Sequence, residues 1–151
     1  MGQPEDKKLL RSAEVAVDTC VAHRLRLISR VISNIYNEEL SKNGLTVSQF
    51  NILTVIIAGK SISPTFISTN LQIEKSTLSR NLELMRKNSW ITMESAGRGI
   101  VLGITAKGKK AFQVAYPQWE RAQERSVAIL GKNEIQRIFK IALEVSKSQT
   151  S

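Results

Sequence analysis

The chain is poor in the residues on which small-molecule chemistry is built. It holds one cysteine, Cys20, and one histidine, His23, among 151 residues. A single cysteine excludes an intrachain disulfide framework and suits a reducing cytoplasm, the compartment expected here. Without a Cys/His cluster there is no spacing for a tetrahedral metal site. A lone thiol and a lone imidazole do not make a paired nucleophile and base, and no phosphate-cradling glycine loop is present. No enzymatic activity, metal or cofactor is therefore expected. No apolar run approaches the roughly 20 residues of a membrane helix. The segment from Met1 to Lys8 alternates acid and base with no apolar stretch, unlike a secretory signal.

What the chain has in excess is positive charge, a formal +9 from 22 basic and 13 acidic residues. The excess is unevenly spread. Met1 to Leu40 balances at six of each sign, whereas Glu74 to Lys110 carries eight basic residues against three acidic ones. More than half of the surplus thus lies in a quarter of the chain, the footprint of a surface that meets a polyanion. The alternative is a solvated surface that is simply basic.

Hydrophobic spacing predicts a mainly helical chain. Met1 to Leu10 reads as a frayed polar lead-in. From Arg11 to Lys42 there is neither proline nor glycine, and Val17, Val21, Leu25, Ile28, Ile32 and Ile35 recur in steps of four and three, one stripe of a long amphipathic helix. Gly44 ends it. Thr46 with Gln49 forms a capping box, and Leu45 with Phe50 a hydrophobic staple, opening a helix from Val47 to Ala58. That helix is apolar nearly all round and is expected to be buried. Gly59 stops it. Ser63-Pro64 starts a short helix that runs to about Asn70. Leu71 to Glu74 is a tight connection to a further helix, Lys75 to Lys87.

The pattern then turns β-prone. Trp90 to Met93 and Ile100 to Ile104 read as two strands around a glycine-bearing loop, Glu94 to Gly99. Thr105 opens a long helix to about Leu130 with Pro117 inside it, where the ring is expected to bend the axis. A last helix spans about Lys132 to Val145, with Ile135, Ile138, Ala142 and Val145 on one face.

The informative unit is the middle: a short helix, a tight turn, a basic-fronted helix, then a hairpin. That order is a helix-turn-helix followed by a wing. The second helix carries its apolar residues Leu78, Leu82 and Met85 on one side. On the other it presents Lys75, Ser76, Thr77, Ser79 and Arg80, short hydroxyls and cations suited to phosphates and base edges in a major groove. Its N-terminus is expected to favour a phosphate. Arg98, behind the helix in the loop, is placed to enter a narrow minor groove. Each feature also has a bland reading, as a solvated helix face and an exposed turn residue.

At this point the chain resembles the MarR family of winged-helix transcriptional regulators. The likeness covers roughly Val17 to Val145 and is strongest from Ile73 to Ile91, where Ser76, Thr77, Ser79 and Arg80 match the family's Ser-Thr-x-Ser/Thr-Arg core. Ile104-Thr105-Ala106-Lys107-Gly108 is similar to the family's Leu-Thr-x-x-Gly, and Tyr116-Pro117-Gln118-Trp119 with Ala122-Gln123 to its long fifth helix. Ala96 departs from the usual wing aspartate, Gln72 from a small residue in the turn, and Asn88-Ser89 from a closing glycine. Asparagine tolerates the left-handed conformation that such a closure needs.

The resemblance implies a single domain over 1–151, with dimerisation helices over about 11–42 and 105–148 and a winged-helix lobe over about 46–104. It implies a homodimer that binds a pseudo-palindromic double-stranded DNA operator, a repressor released by a small aromatic or phenolic effector. The candidate DNA-binding set is Thr65, Lys75, Ser76, Thr77, Ser79, Arg80 and Arg98. Effector residues are not assigned; His23, Arg24, Arg26 and Trp119 read equally as structural or solvent-facing. Cys20 has His23 and Arg24 on its helical side, the setting of a redox sensor, but a lone cysteine is more often a small hydrophobe. The alternative function is a winged-helix adaptor that binds protein and no longer reads DNA.

Overall fold

A computed structural model describes residues 4–148 of the chain. In order its elements are α1 (Pro4–Thr19), α2 (Val21–Ser41), α3 (Val47–Ala58), α4 (Pro64–Leu71), α5 (Lys75–Lys87), β1 (Ile91–Ala96), β2 (Gly99–Ile104), α6 (Ala106–Leu130) and α7 (Lys132–Ser148). The fold is mainly α with one antiparallel hairpin, as the spacing predicts. The chain divides into two compact units, Met1–Asn34 and Ile35–Ser151.

The first unit corrects two expectations. The lead-in is helical from Pro4; Met1 to Gln3 lie outside the described residues. The single long helix is instead two helices that part at Cys20. Local chemistry accounts for the break. Val17-Asp18-Thr19-Cys20-Val21 is a run of residues with low helix propensity. The Thr19 hydroxyl donates to the Val15 carbonyl at 2.7 Å, a back-bond that bends helices, and the Arg24 guanidinium donates to the Asp18 carbonyl at 3.5 Å. The apolar residues here stay in solvent: Leu9, Val17, Val21 and Leu25 are each more than 60% exposed.

The second unit holds the core. Thr46 and Gln49 form the expected reciprocal capping box, and the staple residues Leu45 and Phe50 are both buried. Helix α3 buries Phe50, Ile52, Leu53 and Ile56 but leaves Asn51, Thr54 and Ile57 exposed, so it is a one-faced helix rather than one buried all round. Ser63 caps α4 by accepting from the Phe66 N–H at 3.1 Å, with Pro64 in the first turn where its missing N–H costs nothing.

The hairpin is tighter than a six-residue loop. Its strands run on to Ala96 and resume at Gly99, in register from Ile91 opposite Ile104 to Ala96 opposite Gly99. The first strand starts at Ile91, one residue later than expected. Only Gly97 and Arg98 make the turn, and Gly97 has φ +60°, which a glycine adopts without steric cost. Ile62 adds an isolated bridge to Leu102 on the far edge of β2.

The Thr-x-x-Gly run locks α6 to the end of α5. The Thr105 hydroxyl donates to the Ser89 carbonyl at 2.7 Å and accepts from the Gly108 N–H at 2.9 Å. A Cβ on Gly108 would fall 2.0 Å from the Trp90 carbonyl oxygen, so only glycine fits. Helix α6 runs unbroken through Pro117, and α7 continues three residues past Val145.

Candidate nucleic-acid interface

Helix α5 is placed by three apolar anchors. Leu78, Leu82 and Met85 are all buried, and they recur at helical spacing, so the opposite side must face solvent. That side carries Lys75, Ser76, Thr77, Ser79 and Arg80, every one exposed. Lys75 and Arg80 have no ion-pair partner among the described residues. Arg86 and Lys87, at the other end, share Glu83 at 2.9 and 4.0 Å. The Arg86 guanidinium holds the Glu83 carboxyl below its ordinary value, so both stay charged and partly cancel. The cations of the first turns of α5, Lys75 and Arg80, are thus free of salt bridges among the described residues, with Glu74 at the helix start as the nearby opposite charge.

The turn before α5 is stitched by one side chain. The Ser68 hydroxyl donates to the Ile73 carbonyl at 2.8 Å, and the Ile73 N–H donates to the Ser68 carbonyl at 3.1 Å. Gln72, between them, sits at φ +51° and ends α4 in the left-handed conformation. This is the physical reason a small residue suits the position. The closing residue of α5 is also revised: Asn88 is right-handed, and the positive φ falls on Ser89 at +58°.

Sequence reasoning missed Glu74. It is the N-cap of α5, and its carboxylate accepts from the Ser76 N–H at 3.0 Å, the Thr77 N–H at 3.2 Å and the Ser76 hydroxyl. The Ser76 hydroxyl, then the Thr77 amide, hold the Glu74 carboxyl below the usual carboxylate range. The expectation of an open, phosphate-seeking helix N-terminus is thereby corrected, since two leading amides already have an anionic acceptor. Glutamate is not among the favoured caps, and its position at the helix start next to Lys75 was the only signal available.

The candidate residues assemble in part. Thr65 of α4 lines a cleft of about 360 Å³ together with Lys75 and Ser79 of α5 and with Met93 and Ile100 of the hairpin. Thr77, Ser79 and Arg80 line the adjoining groove along the outer side of α5. Ser76 joins Arg80 directly: the guanidinium Nε donates to the Ser76 carbonyl at 3.3 Å, and an Nη to its hydroxyl at 3.4 Å. Arg98 lies in the two-residue turn of the hairpin, exposed, and lines neither surface. Ala96 beside it supplies no carboxylate to orient its guanidinium.

Aromatic rings gather on α3 and α6. Phe50 stacks on Phe112 with centroids 4.8 Å apart, and Tyr116 stacks on Trp119 at 5.4 Å. The Tyr36 hydroxyl bonds the Gln123 side chain, while Tyr116 keeps 41% of its surface in solvent. Cys20 is exposed. Among the described residues no cluster of three His, Cys, Asp or Glu is arranged to hold a metal, and no helix is long and apolar enough to cross a membrane.

No family model and no curated protein matches the chain. Solved structures do. The M. tuberculosis transcriptional regulator MosR matches at 29% identity and a TM-score of 0.75, over 87% of this chain and 98% of that one. A structure of MosR with DNA matches at 27% identity and the same TM-score, over 87% and 96%. BpsR of Bordetella bronchiseptica, whose DNA binding is regulated by 6-hydroxynicotinic acid, shares the fold at 19% identity and a TM-score of 0.75, over 85% and 95%. The buried apolar side of α5, the two-residue wing and the Thr105–Gly108 lock fall within a fold shared with MosR along nearly its whole length, and the chain has the winged-helix fold of the MarR-family regulators.

Proposed function

We propose that this protein is a dimeric, sequence-specific regulator of transcription that binds double-stranded DNA, a repressor released by a small aromatic effector. The observation that carries the reading is the exposed face of α5. Five short polar or cationic residues stand outward on a helix fixed by three buried apolar ones, in a fold that MosR uses with DNA bound. In this reading α5 lies in the major groove. Lys75, Thr77, Ser79 and Arg80 meet phosphates and base edges, Ser76 steadies Arg80, Thr65 touches the backbone from α4, and Arg98 reaches the neighbouring minor groove.

The whole chain, 1–151, then works as one MarR-like domain. The exposed apolar rows of α1, α2 and α7 support pairing with a second copy, because apolar patches of that extent mark interaction surfaces. A two-fold dimer presents two reading helices about 34 Å apart, which calls for a pseudo-palindromic site. The exposed Tyr116 ring, stacked on the partly buried Trp119, offers a flat surface to an aromatic ligand of the kind that regulates BpsR. Such a ligand acts by favouring the DNA-incompetent state.

The test is titration of the full chain with duplex DNA at several salt concentrations. Tight binding that weakens steeply with salt supports the reading, because neutralised phosphates release counterions. Absence of duplex binding, with capture of a protein partner instead, favours the adaptor function.

A further inference from the structure

A surface that meets a polyanion has little use for an exposed carboxylate at its leading edge, yet α5 begins on one. Glu74 Oε2 is fully engaged, accepting from two amides and the Ser76 hydroxyl. Its Oε1 has no hydrogen-bond partner among the described residues, and the residue is exposed. The Ser76 hydroxyl that donates to Glu74 also accepts from Arg80. Glu74 and Arg80 are thus tied through one serine, and an acceptor oxygen and a guanidinium stand in fixed relation on the first turns of the helix.

In a major groove these two groups ask for different edges. Arginine donates to guanine O6 and N7. A carboxylate only accepts, and it is repelled by guanine N7 and O6, by thymine O4 and by adenine N7. Cytosine alone shows an amino donor, N4, with no acceptor beside it on the same base.

We propose that Glu74 is a specificity-determining residue, its Oε1 accepting a hydrogen bond from the N4 amino group of one cytosine in each half-site. The inference rests on the DNA-binding reading above and adds to it the base that the helix start selects. Holding Oε2 on the helix amides means that the acceptor is oriented before DNA arrives, which lowers the ordering cost of the contact.

Glu74→Gln separates this role from capping. The amide oxygen can still accept from the Ser76 and Thr77 N–H groups, while an NH₂ replaces the unbonded oxygen. The experiment selects bound duplexes from a randomised pool with the full chain, with Glu74→Gln and with Glu74→Ala. Base preference is read at every half-site position, and thermal stability and oligomeric state are measured alongside. The parent is expected to prefer cytosine at one position per half-site by about ten- to a hundredfold. In Glu74→Gln that position alone should change, moving toward adenine, whose N6 and N7 a glutamine amide matches. In Glu74→Ala it should become indifferent. If both variants keep the parent's preference at every position, or shift all positions together, Glu74 is a cap only and the proposal is overturned. If the parent itself enriches no common sequence, the DNA-reading function fails and this inference with it.

Discussion

Helices α5 and α7 each carry one polar and one apolar face, but α5 turns only the polar face outward whereas α7 leaves both in solvent. In α5 the apolar residues Leu78, Leu82 and Met85 are buried and the polar ones are exposed. In α7 only Ile135 is buried, while Ile138, Phe139, Ile141, Leu143 and Val145 remain 40% to 57% exposed. Fully burying one such side chain is worth about 1.5–3 kcal/mol. One chain therefore satisfies α5 and leaves α7 unsatisfied. The first is a finished element whose free side is available for a charged partner. The second is an unfinished one whose free side calls for another apolar surface.

The strongest way to break this contrast is to charge the exposed side of α7. If the chain pairs as proposed, the double change Phe139→Asp and Ile141→Asp is expected to give a monomer in sedimentation where the parent sediments as a dimer, with helicity unchanged. Duplex affinity should fall about 10²–10⁴-fold, because the second half-site contact ceases to be intramolecular. A variant that stays dimeric would place the dimer interface elsewhere.

The matching cut on α5 is smaller and of another kind. Arg80→Ala is expected to weaken specific duplex binding about ten- to a hundredfold with little change in sedimentation or melting, since the guanidinium is exposed and makes no direct salt bridge. Arg98→Ala should cost less, because Ala96 leaves that arginine unoriented. Titration of both variants against the parent site checks the order. If both bind like the parent, the reading face lies elsewhere.

A third test concerns a polar contact that, unlike those on α5, is closed within the chain. The Glu39 side chain is only 8% exposed and faces Lys42, Arg121 and Arg125. Hydrogen bonds from Lys42 and Arg125 hold its carboxyl below the ordinary range. A depressed folded value contributes stability that is complete above the ordinary carboxylate pKa and is lost as pH falls through it to the folded value. Melting temperature should therefore drop on acidification below about pH 4, and Glu39→Gln should flatten part of that drop. An unchanged slope in the variant would remove Glu39 from the acid response.

The smallest effect is in the turn. Gln72 holds φ +51° without a glycine's freedom, and Gln72→Gly should raise stability by at most about 1 kcal/mol, read as a small rise in melting temperature. A fall would mean that the Gln72 side-chain bond to the Thr69 carbonyl at 2.8 Å outweighs the backbone strain.

The starts of α3, α4 and α6 were legible because caps are local: Thr46 with Gln49, Ser63 with Pro64, and Thr105 each bond an amide within three residues. The span of α5 and its buried side followed from the spacing of Leu78, Leu82 and Met85. The break at Cys20 was not legible, because an unbroken apolar stripe says nothing about where the backbone ladder yields. Nor was the role of Glu74, since glutamate is an uncommon cap and its bonds depend on how Leu71–Glu74 turns. Of the candidate site, all seven residues are exposed, as most polar side chains are, and the sharing of Ser76 between Glu74 and Arg80 appears only in three dimensions.

Composition and periodicity alone determined that this chain is helical, basic from Glu74 to Lys110, and furnished with a hairpin behind a polar helix. These properties depend on neighbours three or four residues apart and survive in any environment. Tertiary structure decided which faces remain in solvent, how tightly the hairpin closes, and which carboxylate stands at the head of α5. Those depend on what the rest of the chain covers, and burial is a property of the packed molecule rather than of any segment in it.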